Sequence, residues 1–121
     1  MKTALFLLVL LTRNGAGDIH AAFVEAGNRD ACVARERMVR ALFAGSGIPV
    51  VGGGCFESTL RFTPFRHAEG SRRVRHFYTI RLGEERVEIL PARDWASCLR
   101  AARLDPAGDL LCAGSAQRLL R

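Results

Sequence analysis

An unbroken apolar run at residues 4–11 constrains this chain more than any other feature, because it can be a discarded address or part of the core. Lys2 precedes it and Thr12-Arg13-Asn14-Gly15-Ala16-Gly17 follows. A basic start, an apolar stretch and a small-residue exit together match a secretory leader. Cleavage after Gly17 puts Gly15 and Gly17 at the −3 and −1 positions and leaves residues 18–121 as one domain. The run is too short to cross a membrane as a helix, which takes about 20 residues. It also has the length of a buried β-strand, and apolar content alone does not separate these readings. In the strand version, residues 5–11 pair with residues 19–24 across the loop holding Asn14-Gly15. The leader reading comes first here because all three of its parts are present.

The choice matters for the cysteines at 32, 55, 98 and 112, since disulfides persist in oxidising compartments and are rare in the cytosol. Four cysteines allow three pairings. Nearest-neighbour pairing, Cys32 with Cys55 and Cys98 with Cys112, staples each expected helix to the segment after it. Export therefore predicts a disulfide-braced domain, periplasmic in a Gram-negative bacterium and otherwise secreted. Retention in the cytoplasm predicts four buried thiols instead. The spacing matches neither paired zinc-ligand cysteines nor a Cys-x-x-Cys redox motif.

Local patterns predict an α+β domain: a small antiparallel sheet of about four strands with two helices packed on one face. Residues 18–25 are apolar-centred and bounded by glycine, which reads as a strand. Asn28 or Asp30 caps a helix over residues 31–44, with Cys32, Val39, Leu42 and Phe43 inward. Residues 48–51 suggest a short edge strand because of Pro49, and Gly52-Gly53-Gly54 reads as a flexible turn delivering Cys55. Residues 60–63 alternate as a strand. The clearest alternation lies in residues 75–82 and 86–90, which flank Gly83-Glu84-Glu85 as a hairpin. Asp94 caps a helix over residues 95–104, with Trp95, Cys98, Leu99 and Ala102 on one stripe. Asp109 opens a last short helix. No internal repeat, low-complexity tract or dividing linker is read.

The net charge is +6, or +4 once Lys2 and Arg13 leave with the leader. That balance favours acidic partners through long-range attraction. The densest basic stretch holds Arg66, His67, Arg72, Arg73 and Arg75 around Gly70-Ser71, and arginine forks suit carboxylate or phosphate. These residues are the expected contact site for an anionic partner, against the plain alternative of a solvated loop. Nucleic acid is the weaker form of this expectation, since no recognised nucleic-acid module accompanies the cluster.

No enzyme class emerges. The three histidines lack zincin spacing, and Gly52-Gly53-Gly54 lacks both the dinucleotide-binding pattern and the P-loop lysine. No serine sits in a Gly-x-Ser-x-Gly elbow. No catalytic residue, metal ligand or cofactor is read. The sequence points to a small exported domain that acts by binding an unidentified protein or acidic surface. The alternative is a cytoplasmic anion- or nucleic-acid-binding protein that keeps its N-terminus as a buried strand.

Overall fold

Two hairpins, each followed by a helix and a returning strand, build the described molecule. The computed structural model describes residues 5–64 and 76–120. The chain runs β1 (Phe6–Arg13), β2 (Ile19–Ala26), α1 (Arg29–Gly45), β3 (Val50–Glu57), β4 (His76–Leu82), β5 (Val87–Ala92), α2 (Trp95–Leu104) and β6 (Leu111–Ser115). The strands lie in the order β3-β1-β2-β6-β4-β5. Every neighbouring pair is antiparallel except β2–β6, which is parallel. The α+β class and the two helices agree with the sequence reading. The sheet is larger than expected, with six strands, and it is mixed.

Both additional strands lie inside the sheet. The apolar run forms β1, which pairs with β2 on one side and β3 on the other. Leu7, Leu8, Val9, Leu10 and Leu11 are each at most 1% exposed. Burying such side chains is worth about 1.5–3 kcal/mol each, so β1 alone contributes on the scale of a whole domain's net stability. The second addition is β6, where a short helix was expected. Its residues Cys112, Ala113, Gly114 and Ser115 are all buried between β2 and β4. A strand covered on both faces carries no polar alternation, which removes the sequence signal for it.

The glycine triplet is also strand rather than turn. Gly52, Gly53 and Gly54 lie mid-way along β3 and face Leu11, Leu10 and Val9 of β1. At Gly53 φ is +136°, and a Cβ there would stand 2.1 Å from the Val9 carbonyl oxygen. Only glycine lets the two backbones approach this closely. The expected strand at residues 60–63 reduces to one bridge, Phe62 with Leu119.

Alternation along β1 sorts the core into two layers. Leu7, Val9 and Leu11 join Phe23, Phe56, Tyr78, Ile80 and Ile89 on one face. Leu8 and Leu10 join Cys32 and Phe43 of α1 on the other. The second helix covers that same outer face further along, through Cys98 and through Trp95 against Phe77, with ring centroids 5.5 Å apart. Leu42 and Leu99, expected inward, are 46% and 41% exposed. Phe56 and Ile89 come from opposite ends of the strand order yet share one cluster, so the sheet curls around it. The Glu57 N–H donates to the Glu85 carbonyl at 3.1 Å, joining the two ends of the curl.

The curl has an internal two-fold logic that the sequence reading did not find. In each half, β1-β2-α1-β3 or β4-β5-α2-β6, the third strand lies beside the first and the first beside the second. Asn28 and Asp94 cap the two helices by accepting from the N–H three residues on. In both halves the residue four past the cap is a cysteine bonded to the third strand, Cys32–Cys55 and Cys98–Cys112. The nearest-neighbour pairing is the one formed. Beyond the second cysteine, Cys-x-x-Ser-x-x-Arg recurs as 55–61 and 112–118. Ser58 Oγ accepts from the Leu60 N–H and Ser115 Oγ from the Gln117 N–H, each at 3.1 Å. The Thr63 N–H donates to Arg118 and the Leu120 N–H to Arg61, so the two tails pair reciprocally.

A fork of charge fixes the loop after α2. Arg81 donates to both carboxylate oxygens of Asp105, at 3.1 and 3.2 Å, and also reaches Glu88 and Asp109. Asp105 accepts further from the N–H groups of Asp109 and Leu110. The Arg81 guanidinium and these donors hold the Asp105 carboxyl down at about 2.

Candidate functional site

The paired tails, residues 61–63 and 118–120, form a flap over the open end of the curled sheet. Tyr78 anchors it: its hydroxyl donates to the Gln117 carbonyl at 2.7 Å and accepts from the Leu119 N–H at 2.9 Å. Burial raises the Tyr78 pKa, so the phenol stays protonated and able to donate. Phe62 stacks on Phe23 at 3.9 Å, with Tyr78 edge-on to both. These rings hold the flap to the core and leave a hollow on each side.

The two hollows are counterparts under the internal two-fold. The smaller, about 300 Å³, is lined by Leu7, Phe23, Val24, Glu25 and Phe62 among others. The larger, about 640 Å³, is lined at the corresponding positions by Tyr78, Ile89, Leu90, Pro91 and Leu119. Their chemistry differs at two places. In the first half the Gln117 amide clamps β2: its Oε1 accepts from the Phe23 N–H and its Nε2 donates to the Phe23 carbonyl, both at 2.8 Å. In the second half Leu60 stands where Gln117 would, and it offers β5 no hydrogen bond from its side chain. In the first half Arg61 pairs with Glu25 at 3.2 Å. In the second, Pro91 stands in place of Glu25, and Arg118 has no carboxylate within ion-pair distance among the described residues.

The larger cleft therefore has an apolar floor and a cationic rim. Leu60, Phe77, Leu90 and Leu119 contribute to the floor, and Leu90 is 56% exposed. His76, Arg93 and Arg118 stand around it, and no carboxylate is among its described lining residues. Arg93 has one weak partner, Asp94 at 3.6 Å. Such a site attracts an anion that also carries apolar surface.

The site residues expected from sequence, Arg66, His67, Arg72, Arg73 and Arg75, lie outside the described residues. The described neighbours of that stretch are at the hollows, Pro64 at the smaller and His76 at the larger. Sequence reasoning passed over Arg93, Arg118 and Gln117. The recurrence of Cys-x-x-Ser-x-x-Arg would have marked Arg118 as the counterpart of Arg61 and Gln117 as that of Leu60.

Elsewhere among the described residues, the ionisable groups do not gather into one cluster. His20 on β2 has a buried Nε2 with no hydrogen-bond partner, and burial lowers its pKa, so the ring is neutral near pH 7. Among the described residues no group of three or more metal-ligating side chains comes together. No described helix is long and apolar enough to cross a membrane. No protein-family model, curated protein or solved structure matches the chain.

Proposed function

We propose that this chain is a small disulfide-braced binding domain, working in an oxidising compartment, whose cleft beside β5 takes an anionic partner. The observation that carries the reading is the cleft itself: an apolar floor, two arginines and a histidine around it, and no carboxylate among its described lining residues. The two disulfides support the compartment. What supports keeping residues 6–13 in the working protein is their partner strand, because Gly53 is shaped to the Val9 carbonyl and loses its reason if β1 is absent. The compartment then rests on the two bridges.

Trp95, the single tryptophan, packs on Phe77 of the cleft floor and follows Arg93 and Asp94 in sequence, so its fluorescence reports on the site. Titration with poly-L-glutamate at low salt is expected to give a saturable change that weakens as salt rises. Replacing Arg93 and Arg118 together with alanine is expected to remove most of it. Equal binding by that double variant would overturn the cleft as the site. No saturable change at any salt would overturn the anion-binding reading.

A further inference from the structure

We infer that the partner is an extended acidic segment of a polypeptide, which supplies to β5 and Arg118 what Gln117 and Glu25 supply to β2 and Arg61. The inference rests on the binding reading above and narrows it to one ligand class. Its warrant is that the smaller hollow is the larger one with its occupants built in.

The hydrogen-bond register of β5 shows what is left unmet. The Gly83 N–H donates to the Arg86 carbonyl at 2.9 Å, which makes that pair face inward across the hairpin. Inward and outward pairs alternate in an antiparallel ladder, so Arg81 with Glu88 face each other and Ile80 with Ile89 face away. The Ile89 N–H and C=O thus point off the free side of β5, toward the cleft that Ile89 lines. Phe23 holds the same place in β2, opposite Val9, and its N–H and C=O are the two groups that the Gln117 amide satisfies. Around Ile89 the described residues supply no such amide, since Leu60 occupies that position.

Among the described residues, an amide that donates and accepts side by side is what Ile89 lacks, and a carboxylate is what Arg118 lacks. A peptide in extended form presents both, its backbone to the strand edge and an acidic side chain to the arginine. Its apolar side chains would lie on Leu90 and Phe77. A free inorganic anion meets only the second need. A sulfated polysaccharide likewise lacks the paired N–H and C=O.

The test uses the full oxidised protein and a blocked peptide, acetyl-Val-Glu-Val-Glu-Val-Glu-amide, read by Trp95 fluorescence and by calorimetry. The probes for comparison are dextran sulfate and the same peptide with Lys for Glu. The acidic peptide is expected to bind saturably and the Lys version not at all. Arg118→Ala is expected to weaken the acidic peptide about three- to fivefold, as a partly exposed ion pair allows. The sharper variant is Leu60→Gln with Pro91→Glu, which installs the missing clamp and the missing carboxylate from within. It is expected to fold at least as stably as the parent and to lose binding by about tenfold or more. Dextran sulfate binding that matches the peptide and survives the filled cleft would overturn the inference while leaving an anion-binding protein. Undiminished peptide binding by the filled variant would also overturn it.

Discussion

Replacing Gln117 with leucine would convert the first half's seam into the second's, and its cost follows from three hydrogen bonds. Gln117 is 4% exposed. Its amide accepts from the Phe23 N–H, donates to the Phe23 carbonyl, and donates to the Thr63 carbonyl at 2.7 Å. Leucine has nearly the same length, so the packing loss is small and the polar loss dominates. The Phe23 groups sit in a residue only 2% exposed, where an unmet donor or acceptor costs about 1–3 kcal/mol. Thr63 is half-buried, and water can recover part of its share. The total is about 3–5 kcal/mol, a large part of an ordinary domain's stability of about 5–15 kcal/mol. Urea denaturation at pH 7 with the disulfides intact should show it as a lower midpoint with little change in slope. Gln117→Glu should be at least as damaging, because it turns a carboxylate oxygen toward two carbonyls. A Gln117→Leu protein within about 1 kcal/mol of the parent would refute the clamp, since that is the worth of a single ordinary hydrogen bond.

Other consequences are open to direct measurement. Gly53→Ala forces a Cβ against the Val9 carbonyl at a left-handed φ and should abolish soluble expression or cost more than about 3 kcal/mol, whereas Gly15→Ala, with nothing within 4 Å, should be close to neutral. Asp105 is held at about 2, below its unfolded value near 3.8, so its contribution is fully present above that unfolded value and is lost as pH falls toward 2. Asp105→Asn should flatten the stability profile in that acid window, and an unchanged profile would count against the Arg81 fork. Breaking each bridge by Cys→Ser pairs should cost about 3 kcal/mol, with Cys32–Cys55 the costlier by about 0.4 kcal/mol, because its residues lie 23 apart against 14. Intact mass of the oxidised protein should fall about four hydrogens short of the reduced chain.

Much of the fold was legible where local chemistry decides it. The β4–β5 hairpin alternates because one face is core and the other is not. The Asp94 cap of α2 and the Asn28 cap of α1 are side-chain oxygens meeting free N–H groups, and both bond as such. The cysteine pairing followed from helices that place Cys32 and Cys98 over the returning strands. What escaped was set by long-range partners. Gly52, Gly53 and Gly54 look like a turn until β1 lies against them. The segment around Cys112 looks helical because a strand buried on both faces shows no alternation. The doubling escaped because the halves agree at few positions: the caps, the cysteines, Ser58 with Ser115 and Arg61 with Arg118. The cleft escaped for the same reason, since Leu60 and Pro91 are informative only beside Gln117 and Glu25.

Backbone amide shifts followed by NMR during a titration with the blocked acidic peptide would test the account most directly. The Ile89 amide is predicted to move most, with Leu90, Ala92 and Arg118 following, because the Ile89 N–H faces the cleft without a partner among the described residues. Shifts confined to α1, or an Ile89 amide that stays still while the peptide saturates elsewhere, would contradict the account.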